Sequence, residues 1–186
     1  ARSRGLGDVY KRQMKEGGFV IDTEKMNHMQ YNVKDKTCTV GPGATWADMI
    51  YYLNEYGMSP RTMQSYSSFS VGGTVSVNGH GITTDYALYE SIVEFKLVLW
   101  NGKEVLCKQN IKGEGGAALG LVIGGYGMFG VMVSIVLKVQ PNTRIWVQTL
   151  KCSIEDFPRI YNHILEDKHD DICLLYTSPS PRDLAR

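Results

Sequence analysis

Residues 64–81 read QSYSSFSVGGTVSVNGHG, a stretch dominated by small and hydrogen-bonding residues. Glycine leaves no side chain between the backbone and a bound group, and successive backbone N–H groups can form a nest for an anion such as a pyrophosphate. The hydroxyl groups of Ser65, Ser70, Thr74 and Ser76 can add further donors. Glycine pairs are also common in ordinary turns, so the composition by itself leaves ligand binding and a structural turn equally open.

The stretch matches neither of two common phosphate-binding patterns. No Gly-Lys-Ser or Gly-Lys-Thr follows the glycines, as a P-loop requires, and the GxGxxG spacing of the Rossmann fingerprint is absent. The glycines therefore need the context of the flanking segments before they can be assigned to a ligand.

The flanking segments predict a domain of the α+β class. Apolar and β-branched runs predict strands at 19–21, 37–40, 92–100, 104–108, 129–139 and 145–150. The turn Asn101-Gly102 is typical of a β-hairpin. Capping boxes indicate that helices begin at Thr45 and Ser153, and a short helix is predicted over 116–123. We expect a mixed sheet with one antiparallel hairpin and flanking helices.

Two of these elements carry an expectation about burial. Residues 19–21 form a short apolar run that is typical of a buried strand. The helix at Ser153 is expected to face inward with its apolar residues, which are Ile154, Phe157, Ile160, Tyr161 and Ile164.

The two ends of the chain resemble a translated sequencing adapter. The DNA that encodes SRGLGDVYKRQ near the start can, on its opposite strand, encode the CLLYTSPSPR that begins at Cys173. We therefore treat 1–13 and 173–186 as non-native tails and expect them to pack on nothing. The alternative is a pair of genuine polar tails.

Charge and cysteine content exclude several classes of function. The net charge is +1, and outside the two tails acidic residues slightly outnumber basic ones, which gives no electrostatic case for nucleic acid or an anionic membrane. No apolar run approaches the ~20 residues of a membrane span. Cys38, Cys107 and Cys152 are scattered, so we expect small hydrophobic side chains rather than a disulfide framework or a metal site. The acidic run 166–171 is interpreted as a solvated helix end.

Four motifs, in this order, resemble the FAD-binding domain of the vanillyl-alcohol oxidase and p-cresol methylhydroxylase (PCMH-type) family. Together they cover roughly 17–142. The segment Ser70–Gly81 resembles the second pyrophosphate loop of that family. The other three are the strand and helix start at Val40–Trp46, the hairpin at Ile92–Leu106, and the glycine-rich segment Gly124–Val131.

The resemblance implies that FAD lies extended between two subdomains and contacts a defined set of residues. Backbone donors to the pyrophosphate would come from Val71, Gly72 and Gly73. Ser70 and Ser65 would lie beside the same stretch of cofactor, Asn78 would belong to the binding loop, His80 and Gly81 would approach the ribityl–isoalloxazine end, and Val131 would meet the nucleotide end. For His80, a flavin-proximal role and a structural role in capping a turn both stay open.

The resemblance also implies a division of the chain. Residues 14–142 would be a partial PCMH-type FAD-binding domain, and 143–172 would begin a substrate or cap domain. The first pyrophosphate loop, a frequent site of covalent flavin attachment, would precede Gly17, and the catalytic acid or base would follow residue 172. Attachment and catalytic residues are therefore not assigned, and the sequence indicates neither a compartment nor an oligomeric state.

The activity that the resemblance implies is that of an FAD-dependent oxidoreductase. It would transfer a hydride from a small alcohol or polyol to flavin N5. Two alternatives stay open at this point. One is a reductase on the same fold that takes electrons from a nicotinamide, and the other is a non-catalytic binding or structural module that keeps the fold without the flavin.

Overall fold

The computed structural model describes residues 16–81, 86–109, 112–144 and 150–166. Both tails and most of the strand expected at 145–150 lie outside these residues. The described strands are β1 (Met29–Asn32), β2 (Thr37–Val40), β3 (Met58–Pro60), β4 (Ile92–Val98), β5 (Glu104–Lys108) and β6 (Val131–Pro141). The described helices are α1 (Trp46–Asn54), α2 (Val71–Ser76), α3 (Leu88–Ser91), α4 (Glu114–Val122) and α5 (Phe157–Glu166).

The strands form one sheet in the order β1-β2-β6-β4-β5, and β3 also pairs with β6. Strand β6 is central because β2 and β4 pair with it from opposite sides. All of these pairings are antiparallel. The α+β class is therefore confirmed, but the described sheet is antiparallel where a mixed sheet was expected, because each strand runs opposite to its neighbours.

One face of the sheet carries the hydrophobic core. Val40, Ile135 and Phe95 lie in register across three adjacent strands, and all three are almost fully buried. Alternate residues point to opposite faces of a strand, so the other face presents polar side chains. On that face Lys96 pairs with Glu104 at 3.3 Å and Lys108 pairs with Glu94 at 2.9 Å, and both ion pairs join β4 to β5.

Helix α1 covers the core face and begins where the sequence predicted. The Thr45 hydroxyl accepts a hydrogen bond from the Asp48 N–H at 3.1 Å, and the Asp48 carboxylate accepts one from the Thr45 N–H at 2.9 Å. This capping box satisfies donors at the helix start that would otherwise have no partner. The helix then buries Trp46, Met49 and Leu53 against the sheet.

The hairpin and the glycine-ended helix were also predicted correctly. Strands β4 and β5 pair around Asn101-Gly102, and Gly102 adopts a φ of +79° that favours glycine at the turn. Helix α4 ends before Gly124, which has the same φ of +79°. Strands β1 and β3 were not predicted, because each is short and mixes polar with apolar residues.

Two expectations about burial were wrong. Residues 19–21 are not a buried strand, because β1 takes the place beside β2 and the apolar run is left exposed, with Phe19 fully so. Helix α5 does not face inward, because its described side chains neither belong to the core nor pack against it. Phe157 and Tyr161 contact each other on this helix at 5.3 Å, and Ile154, just before it, is exposed.

Cys38 and Cys107 behave as the small hydrophobic residues that the sequence predicted. Both are free and fully buried, whereas Cys152 is exposed. Burial raises the pKa of the Cys38 thiol to about 11 and also raises the pKa of the Cys107 thiol. Both groups therefore stay protonated near neutral pH, which disfavours a nucleophilic role.

Candidate functional site: the glycine-rich loop and the His80 pocket

The glycine-rich loop is held in place at Ser70, which caps helix α2. The Ser70 hydroxyl accepts a hydrogen bond from the Gly73 N–H at 3.3 Å, and the Ser70 carbonyl accepts one from the Thr74 N–H at 3.0 Å. Thr74 is buried, and its hydroxyl accepts a hydrogen bond from the Trp46 indole N–H at 2.9 Å. The loop is thereby tied to helix α1 through the core.

All three backbone donors expected at the loop have partners within the protein, and two of them donate to backbone carbonyl groups. The Val71 N–H donates to the Ala44 carbonyl at 2.8 Å, and the Gly72 N–H donates to the Pro42 carbonyl at 2.9 Å. A β-bridge between Thr45 and Ser70 brings the two segments together. In this structure the Val71 and Gly72 amides therefore join the loop to the turn before α1, and their expected role as pyrophosphate donors stays a prediction.

The same contact explains why residue 72 is a glycine. A Cβ atom at this position would lie 2.6 Å from the Pro42 Cβ and 2.8 Å from the Pro42 carbonyl oxygen. Gly73 differs, because it is exposed and an added Cβ would meet only the Ser70 hydroxyl, at 2.9 Å. The first glycine of the pair serves packing, and the second is exposed, with its N–H donating to the Ser70 hydroxyl at 3.3 Å.

The second glycine-rich segment docks on the far end of helix α2. The Gly124 N–H donates to the Val75 carbonyl at 3.2 Å, and the Tyr126 N–H donates to the Ser76 carbonyl at 2.8 Å. These bonds satisfy carbonyl groups that a helix end leaves without partners. Val131 follows at the start of β6, half-buried and in register with Val98. The two glycine-rich motifs are thus neighbours, although no described contact joins Val131 to Ser70 or Gly73.

A pocket of about 320 Å³ opens at the end of the loop. Three of the predicted site residues, Asn78, His80 and Gly81, line it. The remaining lining residues are Gly79, Tyr86, Ala87 and Leu88. Tyr86, Ala87 and Leu88 were not predicted as site residues, and their one signal in the sequence was their closeness to the loop along the chain.

His80 is exposed at this pocket, and its ring is oriented by the adjacent backbone. Its Nδ1 lies 3.0 Å from the Gly81 carbonyl oxygen. A hydrogen bond there requires the proton on Nδ1, which leaves Nε2 of the neutral ring as an acceptor. Asn78 turns the chain into the pocket with a φ of +47°, a conformation that asparagine tolerates better than most residues.

Ser65 lies apart from the pocket. It is exposed in the segment between β3 and α2, and it is not among the residues that line the cavity. Its expected closeness to the cofactor stays a prediction.

A second hollow, of about 300 Å³, lies on the polar face of the sheet and contains none of the predicted site residues. Its two charged lining residues, Glu94 and Lys96, are already paired with neighbours on β5. The hollow therefore offers little to a ligand, and the His80 pocket is the better candidate.

The described residues fit part of an FAD molecule. The N–H of exposed Gly73 and the Ser70 hydroxyl beside it suit a phosphate oxygen, which accepts hydrogen bonds from both kinds of donor. Small-molecule pockets commonly measure about 300–1,000 Å³, so a pocket of about 320 Å³ has room for one ring system rather than a whole dinucleotide. No carboxylate is found among the described lining residues that would repel an anionic group.

An antiparallel sheet with a capped glycine-rich loop beside an open pocket suits a domain that binds a cofactor. The family model described as the FAD binding domain matches residues 1–108. The chain belongs to this family, the PCMH-type FAD-binding domain, and its cofactor is FAD. The match includes the Ser70–Gly81 loop and the β4–β5 hairpin but ends before Gly124.

Comparison with curated proteins points in the same direction. Cytokinin dehydrogenase 2 of Arabidopsis thaliana is 24% identical over 90% of this chain and 34% of the relative. FAD-dependent monooxygenase drtC of Aspergillus calidoustus is 29% identical over 69% of the chain and 24% of the relative. The mitochondrial D-lactate dehydrogenase [cytochrome] of Arabidopsis thaliana is 28% identical over 67% and 22%. The chain thus spans about a third, or less, of the length of these relatives.

No helix among the described residues is long and apolar enough to cross a membrane.

Proposed function

We propose that the protein containing this chain is an FAD-dependent oxidoreductase that removes a hydride from a small alcohol-type substrate. The observation that carries the proposal is the His80 pocket, which lies at the end of the family's pyrophosphate loop. FAD supplies the redox chemistry when bound, by accepting a hydride at N5. The relative named D-lactate dehydrogenase supports an alcohol-type substrate, since lactate carries its reacting hydrogen on a hydroxyl-bearing carbon.

The chain's own residues would bind and orient the cofactor. The Gly73 N–H and the Ser70 hydroxyl would bind the pyrophosphate, with Ser65 close to the same stretch. His80 and Gly81 would contact the flavin end, where Nε2 of the neutral imidazole can accept a hydrogen bond from a ring N–H or a substrate hydroxyl. Asn78 would shape the pocket, and Val131 would meet the nucleotide end.

A cytokinin is the competing substrate. Several relatives are named cytokinin dehydrogenases, and two of those are 23–25% identical over 88% of this chain. This similarity covers more of the chain than that of the lactate enzyme, but the His80 pocket by itself does not distinguish the two substrates.

The test is anaerobic reduction of the full-length protein. We expect bound FAD, and we expect its visible absorbance band to bleach with one member of a panel of alcohols, polyols and D-lactate. Bleaching by a cytokinin alone would replace the alcohol with the competing substrate. Bleaching by a reduced nicotinamide alone would indicate a reductase, and a protein that stays colourless with added FAD would indicate a non-catalytic module.

A further inference from the structure

Arg61 stacks on Tyr86 at the edge of the His80 pocket. The guanidinium carbon lies 4.0 Å from the centre of the Tyr86 ring. A cation over an aromatic face is attracted by the electron-rich centre of the ring. Tyr86 lines the pocket together with His80, whereas Arg61 is not among the lining residues. Arg61 therefore contacts a lining residue of the pocket without lining the pocket itself.

The guanidinium group is itself held by hydrogen bonds on the side of α3. Its Nε donates to the Ser91 hydroxyl at 3.2 Å, and an Nη donates to the Glu90 carbonyl. The Ser91 hydroxyl donates in turn to the Thr62 hydroxyl at 2.8 Å. Ser91 and Thr62 are among the few polar residues in the buried part of the described structure.

These hydrogen bonds connect the exposed Tyr86 ring, through the Arg61 guanidinium, to polar groups in the core. Buried polar groups without partners are costly, and the described buried side-chain polar atoms all have partners. The planar guanidinium has its donors in a fixed fork, so bonds to Ser91 and Glu90 also determine the plane that faces Tyr86. Tyr86 itself is 41% exposed, so the stacked guanidinium covers part of a ring that also faces solvent.

We propose that Arg61 is a positioning residue that holds the Tyr86 ring as a wall of the pocket, against which a planar ring of bound FAD packs. The inference rests on the proposed function, because the planar ring is that of the cofactor. It deepens that function by assigning roles to two residues outside the glycine-rich loop.

The first test measures, without any ligand, how strongly Arg61 limits the reactivity of the Tyr86 ring. Nitration of each tyrosine is followed by mass spectrometry of peptides from the full-length protein, in the wild type and in Arg61→Met and Arg61→Lys. We expect the Arg61→Met change to raise the Tyr86 nitration rate roughly 2- to 30-fold, the range that a lost cation–π contact implies. Arg61→Lys keeps the charge but loses the flat fork, so it should fall between the two. Tyr51, at 77% exposure on α1, is the internal control and should react equally in all three.

The second test measures FAD. Added FAD should protect Tyr86 from nitration in the wild type and leave Tyr51 unchanged. Tyr86→Phe keeps the ring and should retain the FAD dissociation constant, whereas Tyr86→Leu and Arg61→Met should each raise it roughly 2- to 30-fold. The variant that combines Tyr86→Leu with Arg61→Met should bind FAD no more weakly than either single variant, because both changes remove one coupled contact.

Three outcomes would overturn the inference. Equal Tyr86 nitration in the wild type and Arg61→Met would show that Arg61 does not hold the ring. The flavin would pack elsewhere, with the proposed function intact, if two results came together. FAD would bind Tyr86→Leu with unchanged affinity, and FAD would not protect Tyr86 of the wild type from nitration. A full-length protein that binds no FAD would refute the proposed function and the cofactor contact together, even if Arg61→Met still accelerated nitration.

Discussion

At the scale of single residues, the two adjacent glycines of the loop serve different purposes. Gly72 is buried against Pro42, and its N–H is already bonded to the Pro42 carbonyl. Gly73 is exposed, and its longer bond to the Ser70 hydroxyl can be exchanged for one to a ligand. The chemistry of the pair therefore depends on the neighbouring turn, which a motif in the sequence does not reveal.

We expect Gly72→Ala to destabilise the fold by about 1–3 kcal/mol, because an added methyl group would overpack the contact with Pro42. The matched control is Gly120→Ala in α4, where an added Cβ would have nothing within 4 Å. That change should stabilise the helix by about 0.5–1 kcal/mol. Urea denaturation of both variants checks the prediction, and equal free energies of unfolding would show that the Pro42 contact yields without cost.

The buried thiols are a second residue-scale feature with a measurable consequence. The folded state raises the pKa of Cys38 from 9.0 to about 11 because burial disfavours the thiolate. The protonated thiol is therefore the form that folding favours. Its contribution to stability is complete below pH 9 and is lost as the pH rises through about 11.

We therefore expect the free energy of unfolding to fall between pH 9 and about 11, and to fall less in Cys38→Ala. Comparing the two proteins cancels the groups that they share, such as Tyr56, whose pKa is also raised, mainly by a hydrogen bond with Tyr52. Identical pH dependence in the two proteins would contradict the assignment. Alkylation at neutral pH gives a second check, because exposed Cys152 should react while Cys38 and Cys107 should not.

At the scale of elements, helix α1 links the sheet to the loop. Its capping box begins at Thr45, the residue that also forms the β-bridge to Ser70. Its first buried side chain, Trp46, donates to Thr74 inside α2. We therefore expect local unfolding of the start of α1 to unfold the N-terminal cap of α2 as well.

We expect Thr45→Ala to cost about 0.5–2 kcal/mol, the usual effect of removing a helix N-cap. Thr45→Ser keeps the hydroxyl and should cost much less. Hydrogen exchange provides the sharper measurement, because Thr45→Ala should also speed exchange of the Val71 and Gly73 amides. Faster exchange confined to α1 would show that the cap and the loop are not coupled.

At the scale of the whole molecule, the described residues provide part of a dinucleotide site on a sheet with one covered face. The pocket of about 320 Å³ has the volume for a ring system, and the donors proposed for a phosphate are the Ser70 hydroxyl and the Gly73 N–H. Apolar side chains at Phe19 and along α5 lie outside the core. The chain spans 34% or less of the relatives reported above.

We expect this chain alone to bind FAD much more weakly than the full-length protein. Each hydrogen bond to a charged phosphate is worth roughly 1.5–3 kcal/mol, so two or three donors supplied by the rest of the full-length protein would add about 3–9 kcal/mol, or roughly two to six decades of affinity. The exposed apolar residues should also make the isolated chain prone to aggregation. Flavin absorbance after desalting of both proteins tests this, and stoichiometric FAD on the isolated chain would refute it.

The sequence by itself determined the elements whose signals are local. The Thr45 capping box, the Asn101-Gly102 turn and the β-branched run of β6 each specify their structure through neighbouring residues, and all three are present as expected. The family assignment also followed from ordered motifs, since spacing along the chain is sufficient to recognise them.

Only the tertiary structure decided which groups remain free for a ligand. The Val71 and Gly72 amides are taken by carbonyl groups far along the chain, and residues 19–21 are exposed because Met29–Asn32 pairs with β2 in their place. The stacking of Arg61 on Tyr86 likewise joins segments on either side of the loop. Hydrogen-bond partners and packing neighbours of this kind are set by how distant segments meet in space, so no local pattern in the sequence could have identified them.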